Sequence, residues 1–242
     1  MLSNLYQNIV LKNPKSIFLL LIITLLSFGY FTKDFRLDAS SETLLIEGDP
    51  DLKYLREVNK RYGSKEFLIL TFTPNEGMVT DSSINNLLSL KYKIQSLDWV
   101  HNVITLLDVP LLNNSDSPLQ ERLENFKTLK DEDVDKERGF QEILNSPVFR
   151  NFVISEDGNT SGIIVYIKKD NLKNIENKTK EEIEDYKNSL KKKNHENILQ
   201  IREVIKSYDE VGKIYLGGIP MIADDMMSFI KSDIIVFGLG VL

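Results

Sequence analysis

The residues of this 242-residue chain whose types could do chemistry are two histidines, an aspartate pair, three methionines and a glycine pair. His101 and His195 are far apart, one close to Trp99 and one directly after Lys191-Lys192-Lys193-Asn194. Surface or edge positions are the expectation for both, not metal or catalytic roles. Asp224-Asp225 resembles a carboxylate dyad, but adjacent residues of a helix point about 100° apart and cannot share a proton across a site. Their expected task, with Asp233, is to hydrate the start of a helix at a membrane surface. Met221, Met226 and Met227 could line a greasy conduit, yet at helical spacing they fit packing better. Gly217-Gly218 reads as a backbone turn, not a nucleotide loop. The chain has no G-x-S-x-G, no G-x-x-x-x-G-K and no H-E-x-x-H. Without cysteine it has no disulfide, thiolate metal site or cysteine nucleophile. No enzyme reading survives, and no catalytic, cofactor-binding or metal residue is assigned.

The totals narrow the field further. A net charge of −6 and a pI near 5.2 argue against nucleic-acid binding, which calls for a basic patch. Charged residues at 27% and apolar ones at 42% suit a globular domain, with length enough for an anchor and one domain of about 200 residues, or two small ones. Cysteine-free composition fits any compartment and selects none.

Ile17 to Phe31, IFLLLIITLLSFGYF, contains no charge, and eleven of its residues are Leu, Ile or Phe. Their insertion into lipid is favourable by about 5 kcal/mol. With Ser16 and Thr32 the segment reaches the short end of the range for a spanning helix. A cleaved signal peptide would need a small-x-small site soon after the apolar run, and TKDFRLDASS offers none close behind it. A buried core helix would carry a polar face. Residues 16–32 therefore read as an uncleaved transmembrane helix. Lys12 and Lys15 before it balance Lys33 and Arg36 after it, so charge leaves the topology undecided. Upstream, Leu2, Leu5, Tyr6, Ile9 and Val10 form one helical stripe, and residues 1–15 are expected to lie as a cytoplasmic interfacial helix.

The elements that must position the polar residues follow in order. Asp49 and Pro50 open a helix with Leu52, Leu55, Val58 and Tyr62 inward and Gly63 as its stop. Phe67 to Thr73, FLILTFT, is a strand of the kind covered on both faces or central in a sheet. Thr80 to Leu97 is a capped helix with Ile84, Leu87, Leu88, Ile94 and Leu97 on one face. Trp99 to Leu107 is a second strand ending at Pro110. Residues 113–147 form a polar insertion, with short helices expected around Leu119, Leu123, Phe126 and Leu129 and a solvated charge run at KDEDVDKERG. Asp157-Gly158 signals a hairpin within FVISEDGNTSGIIVYI. Thr179 and Glu182 form a capping box for a long helix traced by Ile183, Tyr186, Leu190, Ile198, Ile201, Ile205 and Tyr208, interrupted near Asn194 and closed by Gly212. Lys213 to Leu216 is a last short strand, and the chain is helical in pattern from Met221.

The order strand–helix–strand–insertion–strand–helix–strand fits an α+β, ferredoxin-like βαββαβ domain whose first and third strands are central. Those are the two runs that are apolar throughout. Ile234 to Leu242, IIVFGLGVL, rises only about 14 Å as a helix, against a hydrocarbon core of about 30 Å. The expectation is a fragment cut inside a second span that begins at residue 234, following a domain over residues 33–233.

A span, a βαββαβ domain and a second apolar helix directly after it resemble the N-terminal portion of a resistance–nodulation–division (RND) exporter, in its MMPL-like and hopanoid-exporter-like branch. LDASSETLLIEGDPDLKYLREVNKRYG at 37–63 carries the likeness, with FLILTFT after it. So do NSPVFRNFVISEDGNTSGIIVYI at 145–167 and GGIPMIADDMMSFIKSDI at 217–234. The resemblance implies a bacterial cytoplasmic (inner) membrane protein whose porter domain is on the periplasmic, extracytoplasmic side. It implies outward transport of lipids or other hydrophobic compounds driven by an ion gradient, with no cofactor in this part. The implied partners are the lipid bilayer, a hydrophobic or lipid-like substrate, and the remaining spans and second porter domain of the same protein. The proton-relay carboxylates of such exporters lie in a later span. Two other readings stay open: a membrane-anchored extracytoplasmic interaction module without transport, and a translocation accessory of the SecD/SecF kind.

Overall fold

The computed structural model describes residues 12–31, 49–62, 66–113, 118, 120, 125–168 and 179–241. It comprises two compact units, Met1–Asp38 and Ala39–Leu242. Among its described residues the first contributes one helix, α1 (Pro14–Phe31); the expected last residue of the span, Thr32, lies outside the described residues. None of its residues is buried, and it is the one helix among the described residues long and apolar enough to cross a membrane. The hydroxyl of Thr24 donates to the Leu20 carbonyl at 2.8 Å, so the helix satisfies this polar group itself. The stripe expected over residues 2–10 lies outside the described residues.

In the second unit, α2 (Pro50–Tyr62) starts as its sequence predicts, with the Asp49 carboxylate accepting from the Asp51 amide at 2.8 Å. Its inward face is narrower than expected. Leu52 is buried, but Leu55 and Tyr62 are exposed, because no other described element covers that side. Gly63 lies outside the described residues.

Four strands form one antiparallel sheet: β1 (Phe67–Pro74), β2 (Val100–Ile104), β3 (Ser161–Ile167) and β4 (Gly212–Gly217). Their spatial order is β2-β3-β1-β4. The first and third strands are central, as the ferredoxin-like α+β arrangement requires. Pairing Leu68 with Val165 and Leu70 with Ile163 sets β3 on one side of β1; pairing Leu70 with Leu216 and Phe72 with Ile214 sets β4 on the other.

Side chains of a strand alternate between faces. Leu68, Leu70 and Phe72 are fully buried, each contributing about 1.5–3 kcal/mol. Phe67 and Ile69, on the other face, remain 43% and 42% exposed. The apolar run of β1 thus reflects its central place and not cover on both faces. Two helices close the inner face: α3 (Asp81–Gln95) with Ile84, Leu87, Leu90 and Ile94, and α5 (Lys180–Lys206) with Ile198, Ile201 and Val204. Between them the Trp99 indole N–H donates to Gln200 Oε1 at 2.9 Å, and the Ser89 and Tyr208 hydroxyls meet at 2.8 Å.

Several boundaries differ from the sequence reading, each for a local reason. β2 stops at Ile104 because Thr105 caps a 3-10 turn, Leu106–Asp108, in a reciprocal capping box with Asp108. The insertion is not wholly solvated. Gln120 is helical where a short helix is expected, a further helix, α4 (Lys136–Leu144), follows, and Leu129, Val134, Phe140 and Ile143 join the main core while Phe126 is exposed. Leu119 and Leu123 lie outside the described residues. The Glu142 carboxylate on α4 accepts from the amides of Leu112 and Asn113, at 2.6 and 3.0 Å, and ties the insertion back to its entry.

The first arm of the expected hairpin is a set of turns, joined to β3 by the single bridge Ile154–Ser161. Asn151, at φ 63°, turns the chain there, and Gly158, at φ 72°, makes the predicted tight turn. α5 runs without a break through Asn194 and ends at Lys206 under the Ser207 cap; Gly212 instead begins β4. A Cβ at Gly212 would stand 2.6 Å from the Thr73 carbonyl oxygen, which explains a glycine where β4 meets β1. The last helix, α6 (Ile219–Val241), begins just after Gly218, whose φ of 119° makes the turn out of the sheet.

Two predictions follow from the loops. Partial burial would raise the Asp108 carboxyl, but hydrogen bonds from the Lys91 ammonium, the Thr105 amide and the Lys130 ammonium outweigh it and hold the group below its usual range. Asp108→Asn leaves the mostly buried Lys91 without its counter-charge and is expected to cost about 2 kcal/mol in urea unfolding. Asp157 is held at about 2 by hydrogen bonds from the Ser155 hydroxyl and from the amide and side chain of Asn159. A carboxyl depressed in the folded state stabilises above its unfolded value of 3.8, and that contribution fades as pH falls through about 2. Carboxyl NMR titration should place the Asp157 midpoint near 2, and Asp157→Asn should remove this component of acid sensitivity.

Candidate functional site

Three of the polar residues singled out in the sequence, His195, Asp224 and Asp225, converge where α5 passes the first turns of α6. α5 is amphipathic, with Ile198, Ile201 and Val204 on the core and His195 and Arg202 on a flank left free by the sheet. α6 starts beside β1, because a turn at Gly218 brings the chain within 3.1 Å (ideal Cβ to Phe67 oxygen) of that strand. The two helices then meet through three polar contacts.

Asn194 Nδ2 donates to the Pro220 carbonyl at 2.8 Å. This explains a residue that the sequence reads as a break in α5. His195 Nδ1 is 2.9 and 3.1 Å from the two oxygens of Asp224, whose side chain is only 10% exposed. Arg202 Nη2 donates to both oxygens of Asp225 at 2.8 and 2.9 Å. The expected hydration of a helix start is not what the aspartate pair does; it points at α5 and meets two different partners, an imidazole and a guanidinium. Consecutive residues diverge by about 100° on a helix, and here that divergence reaches two positions seven residues apart on the neighbour. Asp233, further along, is exposed as predicted.

His101 lies on the edge strand β2 with its side chain in solvent, while its carbonyl accepts from Gln95 Nε2 at 3.2 Å. His101 and His195 are not brought together. A His–Asp pair can orient a general base, but nucleophilic catalysis also needs a hydroxyl or thiol within reach. Among the described residues no hydroxyl is bonded to His195. Nor do they contain a cluster of three or more His, Asp or Glu able to hold a metal ion. The arrangement fixes one helix to another. Met221 packs against the core, Met226 faces outward and Met227 is half-buried, so the three methionines line no common channel.

A second feature, which the sequence reading missed, is the outer face of the sheet. Phe67 and Tyr166, paired across β1 and β3, meet edge to face with ring centroids 6.3 Å apart. Ile69 lies beside them, and Tyr215, the partner of Thr71, is 67% exposed. Alternation along FLILTFT could have announced it, since Phe67 and Ile69 share a face opposite Leu68 and Leu70.

Neither protein-family models nor curated proteins give a match to this sequence.

The Arg202–Asp225 ion pair between α5 and α6 is partly exposed, and such a pair is worth about 0.2–1 kcal/mol. A double-mutant cycle on Arg202→Ala and Asp225→Ala, read by chemical denaturation, should return a coupling of about 0.5 kcal/mol that shrinks in high salt.

Proposed function

We propose that the chain is a membrane-anchored porter-type domain of an RND-like exporter that moves lipids or other hydrophobic compounds. The observation that carries this reading is the bracketing of a split β-α-β sheet by apolar helices. α1 precedes the domain, and α6 follows its last strand with an uncharged stretch from Ile234 onward. β1 and β4 lie side by side, with Ile69 opposite Gly217, so the sheet's first strand begins and its last strand ends at the same end of the sheet. A domain tethered to one membrane at both ends needs that arrangement. The bilayer is bacterial and cytoplasmic in this reading, with the domain on the outer side. In this reading the carboxylates that couple an ion gradient belong to other spans of the exporter.

A second reading, an anchored interaction module without transport, is favoured by one observation, the aromatic outer face built from Phe67, Tyr166 and Tyr215. The two readings differ in the size of the native product. Blotting native membranes with an antibody to this domain should reveal a polypeptide several times heavier than the 27.9 kDa of this chain. A native product near 27.9 kDa overturns the exporter and leaves the interaction module.

A further inference from the structure

The two edges of the sheet, β2 and β4, are chemically unalike. An edge strand presents unpaired N–H and C=O groups on its free side and is a template for any further extended chain. On β4 those groups follow from the ladder. The Asn75 amide donates to the Val211 carbonyl at 3.2 Å, so by antiparallel alternation Lys213 and Tyr215 also bond to β1. The amides and carbonyls of Ile214 and Leu216 then face away from it. Among the described residues no hydrogen bond reaches those outward groups.

The free side of β2 is closed by one side chain. Gln95, the last residue of α3, donates from Nε2 to the His101 carbonyl at 3.2 Å and accepts from the Val103 amide through Oε1 at 2.8 Å. These two backbone groups flank Asn102, which sits opposite Tyr166 of β3. A residue of a strand laid parallel to β2 would bond the same carbonyl and the same amide, since a parallel neighbour bridges the positions before and after the one it faces. The Gln95 amide, with a donor end and an acceptor end, stands where the peptide groups of that strand would lie. Reversing it would set NH2 against the Val103 N–H, so its orientation is chemically fixed. Ile94, with no exposed area, anchors this end of α3 in the core. The pairing register of β2 also shifts between Val100 and Asn102, and such an irregularity twists an edge away from a newcomer.

We propose that Gln95 is an edge guard, whose side chain occupies the bonding positions of β2 and prevents a further strand from joining the sheet there. The consequence is for association. A sheet open on one edge can add a single neighbour and is then closed as a pair. A sheet open on both edges can add copies head to tail without limit, as heterologous contacts do. One polar side chain thus separates a domain that stays discrete from one that can grow into a ribbon. Leucine at this position would keep a similar size but offer β2 neither donor nor acceptor.

The test uses the full 242-residue chain in dodecyl maltoside micelles. In sedimentation, Gln95→Leu should form assemblies whose mass rises with concentration over a range in which the unaltered chain keeps one size. Adding His101→Lys, at an exposed position of β2, should restore that one size, because lysine on a bare edge blocks strand addition. In hydrogen exchange, the Val103 amide of dilute Gln95→Leu should exchange at least about tenfold faster than in the unaltered chain. A folded Gln95→Leu chain that sediments as the unaltered one does, or exchanges Val103 no faster, overturns the guard. So do assemblies that His101→Lys leaves intact, since they form by contacts other than strand addition. Should circular dichroism show Gln95→Leu unfolded, exchange in the unaltered chain decides. There the Val103 amide should outlast the outward Ile214 amide by at least about tenfold, and equal rates overturn the proposal.

Discussion

The pairing of β1 on both of its edges is the constraint on which the second unit depends. Only a strand bonded to neighbours on each side can hold Leu68, Leu70 and Phe72 in one plane with no exposed area at all. That row is the floor on which α3 and α5 rest. Both helices present branched or long aliphatic residues at helical spacing, and both lose their partner if β1 slips by one residue, since a one-residue shift exchanges the two faces of the strand. The register is pinned at its far end by glycine. At Gly212 the backbone of β4 lies so close to Thr73 that no other residue fits.

The same pairing decides where the chain leaves the sheet. β4 ends beside the start of β1, and the left-handed Gly218 turns the chain across Phe67 and Leu68 into α6. α6 inherits a fixed direction from that turn and a fixed rotation from α5. With Asp224 and Asp225 spent on His195 and Arg202, what remains for the surroundings is a row of apolar side chains. Polar contacts within the domain thus create an apolar surface outside it. The outer face of the sheet arises in a related way: two helices suffice to cover one side of four strands, and Phe67, Ile69, Tyr166 and Tyr215 lie on the other.

The acids tell a consistent story across the domain. Asp108 serves two lysines and a cap, Glu142 holds two amides, Asp157 orders its own turn, and Asp224 and Asp225 join helices. Each carboxylate accepts hydrogen bonds from donors already fixed by the fold, and at Asp108 and Asp157 those bonds hold the carboxyl below its usual range.

Much of this was written in the sequence, because it depends on local rules. Helical spacing and capping chemistry sufficed for α3 and for the start of α5, where Thr179 and Glu182 cap each other as their types and separation require. The charge-free run predicts α1, and two apolar β-branched strands among four predict which pair is central. Other features needed the tertiary structure. Whether Leu55 and Tyr62 of α2 find cover depends on distant neighbours. So does the burial of Leu129 and Val134 inside a charged insertion. Asn194 reads as a break only until Pro220 supplies its partner from another helix. Asp224 and Asp225 look like surface hydration until α5 arrives beside them. Periodicity says that a residue belongs to a face; only the packing of one element on another says what that face meets.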